Sequence, residues 1–475
     1  MKRILDNVLY QALYQLLQVI LPVITVPIVS GSLGPKGLGI FNFTSSITNY
    51  FVLFAGLGLS NYGVREIARC RDNKNSLSRK FFELEGMNIL ISIIIIAVYF
   101  SMVAIMNRYK SFYVIEFLLI IAAVLDISWF YIGIEDFSKV SLSNMIIKVI
   151  SFILIVLTIH NYSDLKLYVV IQCGSTFLSQ SILWFFLKNR IDFVRVNFIS
   201  MVKHIKPAAA YFISKIAISL YTNLNKTLLG ILGTVSAVGY YSNGVTLYTM
   251  IAMVMTSVDE ALMPRMSKMV SDGNKTNAIK LMEKVVHISL WITIPAMFGL
   301  IAISSKLVDW FFSPKFALLK ILIPIFAPLV VIIPLGVSIA RQYLVPTGNI
   351  KGYNISVIFA GIISIFINVI TISKMGVYGT VLATCVSESF NTIIRVFELI
   401  KHTDFHFHLS LIIRYFIMGI VMALAIYCST RQLSSSVVTT MIQISIGVIV
   451  YGFLSIVTKT PLSIKQIESI FKQEH

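Results

Sequence analysis

The sequence predicts an all-α polytopic membrane protein of about fourteen transmembrane helices, and three observations carry that prediction. Hydrophobic residues make up 57% of the 475 and charged residues 13%, giving a mean hydropathy of +0.85. Apolar runs of roughly twenty residues, the length that crosses a ~30 Å hydrocarbon core, recur from end to end. Lysine and arginine gather in alternate connections between those runs. The runs are continuously apolar rather than alternating, which disfavours a β-barrel, and no stretch is polar and long enough for a soluble domain.

The first span, near 8–30, carries Gln11, Tyr14, Gln15 and Gln18 at helical spacing, then Pro22 and Thr25, a polar stripe ending at a kink. Basic residues precede it, but its glutamines and the lack of a small-residue cleavage site mark a retained span. The second, near 38–62, adds Asn42, Ser45, Ser46 and Asn49. Spans three and four lie near 83–106 and 112–134, with Asp126 in the fourth. The fifth, near 140–160, puts Asn144, Lys148 and Ser151 on one face, and Asp126 is a candidate buried partner for Lys148. The sixth covers 166–187.

The seventh, near 208–231, is the organising element. Lys215 and Lys226 are eleven residues apart, so at ~100° per residue they fall about 20° apart on one stripe. Ser219 and Thr222 share that stripe. A charge near mid-membrane costs roughly 2.5–3.5 kcal/mol on insertion scales, so the stripe is expected to face a wet cavity rather than lipid. A wall of ammonium groups suits an anionic ligand. Lys226, near the helix end, has snorkelling to the interface as its alternative.

The eighth span, near 236–258, adds Asn243, Thr246 and Thr249. The remaining spans fall near 286–304, 318–340, 354–373, 377–399, 411–429 and 437–457. Glu388 sits halfway along the twelfth; it reads as a proton or sodium site, as a partner for a lysine across a cavity, or as structural. The serine, asparagine and glutamine positions have a plainer reading, hydrogen-bonding glue between helices at about 1 kcal/mol per contact.

With the N-terminus inside, the cytoplasmic connections hold 26 of the 39 basic residues and the opposite side 9. That bias places both termini in the cytoplasm and favours an even number of spans. The net charge of +18 is therefore loop charge that orients the chain, not a groove for nucleic acid. Four scattered cysteines lack metal or disulfide spacing, and His402, His406 and His408 lie in a loop without supporting ligands. No phosphate-binding GxxxxGK[ST] loop and no nucleophile elbow occurs. Nothing calls for a cofactor.

The stretch LGPKGLGIFNF at 33–43 is echoed by LGTVSAVGYYSN at 232–243. Six spans separate the copies, which predicts two parallel six-helix lobes, 1–200 and 201–402, followed by two trailing helices and a cytoplasmic tail, 403–475.

Several stretches resemble the polysaccharide repeat-unit (Wzx-like) flippases of the multidrug/oligosaccharidyl-lipid/polysaccharide exporter superfamily. They are 21–43, 56–74, DISWFYIGIEDF at 126–137, YTNLNKTLLGILGTVSAVGYYSN at 221–243, 261–269, QYLVPTGNIKGYN at 342–354 and GVYGTVLATCVSE at 376–388. The resemblance covers the chain to about residue 400 and is specific as an ensemble. It implies a V-shaped two-lobe fold in a bacterial plasma membrane and outward flipping of an undecaprenyl-diphosphate-linked oligosaccharide. It looks most like the branch that serves capsule and exopolysaccharide synthesis. Glycosyltransferases and a polysaccharide polymerase are the implied partners. Transport would be secondary, driven by a proton or sodium gradient or by the substrate's own gradient. One departure stands out: family members often have Leu-Asp-Lys where this chain has Leu224, Asn225 and Lys226, which removes a carboxylate beside the lysine.

On this reading Lys215, Lys226 and Lys148 line a cationic cavity. Gln11, Gln15, Gln18, Asn42, Asn49, Ser219, Thr222 and Asn243 form its polar lining, and Glu388 and Asp126 are its candidate ion-coupling or charge-partner groups. A cation antiporter of the same superfamily would instead need an acidic, aromatic cavity. A multispan glycan polymerase or ligase would need a sizeable outer loop, whereas the outer connections are a dozen residues or fewer, the largest at 305–315.

Overall fold

The fourteen expected spans all coincide with helices. The structure, a computed structural model, describes residues 2–188, 190–458 and 460, without the side chains at 2–9, 11, 12, 19 and 213–222. Among the described residues it contains no strand, and ten helices are long and apolar enough to cross a membrane. In order, the α-helices of the described residues begin with α1 (Lys2–Ala55), α2 (Leu59–Ala68), α3 (Lys74–Ile105), α4 (Lys110–Val124), α5 (Ser128–Gly133) and α6 (Phe137–Thr158). There follow α7 (Leu165–Phe185), α8 (Phe198–Val202), α9 (Ile205–Leu232), α10 (Val235–Ser271), α11 (Lys275–Phe311) and α12 (Leu319–Phe326). The last are α13 (Leu329–Ile339), α14 (Ile350–Met375), α15 (Val377–His402), α16 (Leu409–Thr430) and α17 (Val437–Val457).

The chain forms two compact units, Met1–Gly239 and Tyr240–His475. The sequence echo sets its division at 200, by repeat; contacts set theirs at 239, because α9 packs along α1 and α2.

In the first unit the two opening spans run together as α1, bent at Gly34, whose φ of 64° only glycine adopts freely. Pro35 follows; it has no N–H to lose and restarts the helix. Its second half and the start of α10, the two echoed stretches, cross at bare backbone. A Cβ on Gly39 would sit 1.7 Å from the Val235 carbonyl oxygen, and one on Gly239 would sit 2.0 Å from that of Pro35. Each glycine meets the residue four before the other, so the crossing is reciprocal. All four residues belong to the first unit.

The fourth expected span is not one helix. It breaks between α4 and α5, where Asp126 accepts the Ser128 backbone N–H at 2.9 Å and so competes with the helical ladder. The tenth likewise divides into α12 and α13, with Pro328 opening the second piece. The third starts nine residues earlier than expected, at Lys74, capped by the Asn73 side chain on the N–H groups of Asn75 and Ser76.

Glu116 of α4 is fully buried and accepts hydroxyls from Thr44 (2.6 Å), Ser45 (2.8 Å) and Thr48 (2.7 Å) on α1. Three donors on one carboxyl group staple the two helices. In the second unit Asp259 of α10, 1% exposed, plays a like part. It takes hydrogen bonds from Ser338 at the end of α13 and from Gln342 in the π-helical turn Ala340–Leu344 that follows. Arg395 of α15 is buried, donating to Ser356 Oγ at 3.0 Å and the Gly336 carbonyl at 2.9 Å.

Candidate functional site

Two polar cavities lie side by side inside the first unit. The first, of about 360 Å³, is lined by α6 (Asn144, Lys148, Ser151), α7 (Gln172, Ser175, Thr176, Ser179, Gln180) and α1 (Tyr14, Pro22, Thr25). The i, i+4, i+7 spacing of Asn144, Lys148 and Ser151 puts them on one face of α6, and α7 supplies an uncharged hydrogen-bonding wall opposite. Lys148 is open to this cavity and makes no hydrogen bond or ion pair among the described residues. A lone ammonium ringed by hydroxyls and amides, at membrane depth, suits an anion with polar substituents.

The second cavity, of about 340 Å³, is lined by Asn49, Ser60, Asn88, Asp126, Trp129 and Asn223, among others. Thr176 and Gln180 line both cavities. Lys148 and Asp126 line different cavities and form no ion pair among the described residues; the expected charge pair is replaced by one cationic and one anionic cavity.

The other expected residues are dispersed. Lys226 on α9 is half-buried with no hydrogen-bond or ion-pair partner among the described residues, while its neighbour Thr227 faces α1, bonding Ser46 (2.9 Å) and Tyr50 (3.3 Å). Gln15 and Gln18 are half-buried and do not line the Lys148 cavity, though Tyr14 and Thr25 of the same stripe do. Asn42 bonds the Leu38 carbonyl of its own helix at 2.8 Å. Asn243 is 7% exposed in the second unit. There Glu388 is half-buried and accepts from Asn391 at 3.4 Å. The side chains of Gln11, Lys215, Ser219 and Thr222 lie outside the described residues.

The second unit holds an apolar groove of about 510 Å³ between α11, α16 and α17, with Trp291, Pro295, Gly299, Met422, Gly447 and Tyr451 on its walls. His402, His406 and His408 border a separate cavity of about 650 Å³. Among the described residues no three His, Cys, Asp or Glu are placed to hold a metal.

Outside the spans, His204 before α9 is 4% exposed, its Nδ1 paired with the Tyr62 hydroxyl at 2.7 Å and its Nε2 with Glu83 at 3.1 Å. Burial pushes its pKa below the ordinary histidine value, against the opposing pull of Glu83. Glu83 also gathers Lys80 (3.1 Å), Arg79 (3.3 Å) and Lys203 (3.4 Å).

The sequence reading passed over Glu85, Glu116, Asp259 and Arg395. A lone acid inside KSFYVIEFLLI is itself the signal that the intramembrane-charge rule asks for.

A family of polysaccharide biosynthesis proteins matches residues 4–270, more than half of the chain. The chain belongs to that family. Membership bears out the resemblance read from the sequence. A protein of Escherichia coli K12 described as an O-antigen transporter is 24% identical over 368 residues, 76% of this chain and 88% of that protein. One of Haloferax volcanii described as a low-salt glycan biosynthesis flippase is 23% identical over 262 residues, 55% of this chain and 54% of that one. Among solved structures, a lipid II flippase in an inward closed conformation aligns with a TM-score of 0.76 over 95% of this chain and 99% of that chain, at 16% identity. A superfamily transporter from Pyrococcus furiosus aligns at 0.51, over 89% and 94%, also at 16% identity. At such identities the likeness is one of fold, and the all-helical polytopic architecture is shared.

Proposed function

We propose that this chain is a secondary transporter that flips an undecaprenyl-diphosphate-linked oligosaccharide from the inner to the outer leaflet, supplying capsule or exopolysaccharide synthesis. The observation that carries the reading is the Lys148 cavity. Its single unpaired ammonium suits a diphosphate, and its ring of hydroxyls and amides suits sugar hydroxyls. Attraction between the two charges is several times stronger at the low effective dielectric of a membrane protein than in water. The relatives described as glycan transporter and flippase support the same substrate class.

The chain would make and break no covalent bond. Binding energy differing between two conformations is all that a flippase needs. Lys215 and Lys226 on α9 would extend the cationic path, both termini would face the cytoplasm, and the division of the repeat would fall near residue 200. Glycosyltransferases and a polymerase would act before and after it.

Proteoliposomes containing the protein and a lipid-linked oligosaccharide test the reading. Leaflet exposure of the glycan is followed by a membrane-impermeant lectin. The expected result is protein-dependent loss of the protected pool for the diphosphate-linked glycan, with no transport of a cationic dye. Dye transport without glycan flipping would move the chain to the antiporter class.

A further inference from the structure

The face of α3 carrying Glu85, Asn88 and Ser92, spaced i, i+3 and i+7, is buried to 3%, 1% and 1% exposure. Neither Glu85 carboxyl oxygen has a hydrogen bond of ordinary geometry among the described residues, and the Asn88 amide supplies at most a weak one. The Asn88 Oδ1, whose amide nitrogen is held by the Val124 carbonyl at 3.0 Å, and the Gln180 Oε1 also lack a partner there. On α3 and the adjoining cavity wall, four orphan acceptor oxygens are thus accompanied by two orphan donors, the Trp129 indole and the Ser92 hydroxyl. Asn88, Trp129 and Gln180 line the Asp126 cavity, with Glu85 one turn of α3 before Asn88.

A buried polar group without a partner costs about 1–3 kcal/mol, and a bare carboxylate more. Either shortage of donors is relieved by one event, protonation of Glu85, which turns an acceptor into an O–H donor beside Asn88 Oδ1. Asp126 is the charged side chain that lines this cavity. Charged groups on the packed α2 and on the α8–α9 segment are engaged elsewhere. Glu66 binds Arg69 and Lys80, and Lys203 and His204 bind Glu83. No cation therefore neutralises Glu85 among the described residues.

We propose that Glu85 is a proton-binding site of the first unit, loaded and unloaded through the Asp126 cavity. In the step an O–H bond forms on a carboxylate oxygen, and the proton comes from, and returns to, water in that cavity. Nothing is oxidised or reduced. The proposal does not depend on the substrate reading, since it concerns proton occupancy of the resting protein.

The test is acid-induced infrared difference spectroscopy of the full chain in nanodiscs, with proton uptake counted by an indicator dye. Wild type should gain a carboxylic C=O band that is missing from Glu85→Gln, which takes up one proton fewer per chain. Asp126→Asn, which leaves Glu85 in place, should keep the band but shift its midpoint. The amide of Glu85→Gln supplies the missing donor, so its melting temperature should equal or exceed that of wild type. Retention of the full band and proton count in Glu85→Gln would overturn the proposal. So would loss of the wild-type band when sodium replaces potassium at constant pH, which would make sodium the ligand.

Discussion

The two cavities of the first unit share a wall and differ in charge. On one side of Thr176 and Gln180, Lys148 stands alone among neutral hydrogen-bonding groups; on the other, Asp126 does, with Glu85 buried behind it. Two opposite charges in cavities that share a wall were candidates for a pair, and a pair would have been inert. Keeping them apart leaves each free to bind something else. The comparison teaches that an ionisable group inside a membrane-spanning bundle is informative through what it lacks. Glu116 makes the point within the same unit: three hydroxyls satisfy it, and it reads as a staple.

The largest effect should come from reversing the charge of the first cavity. Lys148→Glu is expected to lower glycan flipping more than 100-fold, because repulsion replaces a charge-assisted contact worth about 1.5–3 kcal/mol. Lys148→Arg should retain most of the activity, and the lectin assay reads both. If reversal were tolerated, the cavities would not differ in role.

The staple comes next. Glu116→Ala strands three hydroxyls and opens a void, so stability should fall by about 2–4 kcal/mol. Glu85→Gln should cost nothing. Thermal denaturation of the two variants side by side sharpens the contrast; equal losses would erase it.

Asp126→Asn should change affinity for undecaprenyl diphosphate less than twofold, since Asp126 and Lys148 line different cavities. A tenfold change, measured by binding titration, would merge the two cavities into one site.

The smallest effect lies outside the spans. His204 has its pKa lowered on folding, so the folded state holds fewer protons on this group than the unfolded state does. Its contribution to stability is intact above the ordinary histidine value, ~6.5, and is lost as pH falls below it. His204→Gln should flatten the pH slope of the melting temperature between pH 7 and 5. An unchanged slope would assign it to other groups.

The helices were legible because a bilayer demands long apolar runs. Breaks inside those runs were less so. The α4–α5 interruption depends on one side-chain bond from Asp126 to Ser128, invisible to a hydropathy window. Lys148 could be found from its own face, since Asn144 and Ser151 share it. Glu85 could not: the expected span began at 83, which made the acid look interfacial. The helix begins at Lys74, so Glu85 lies three turns in. The reciprocal contact of Gly39 and Gly239 was foreshadowed by the echoed stretches, but the close crossing needed coordinates.

The central claim is that Lys148 receives the diphosphate. Its most direct test is the affinity of undecaprenyl diphosphate for the purified chain and for Lys148→Met, which keeps the side-chain length without the charge. The account predicts binding at least tenfold weaker in the variant, with undecaprenol bound equally by both. Equal affinity for the diphosphate would contradict it.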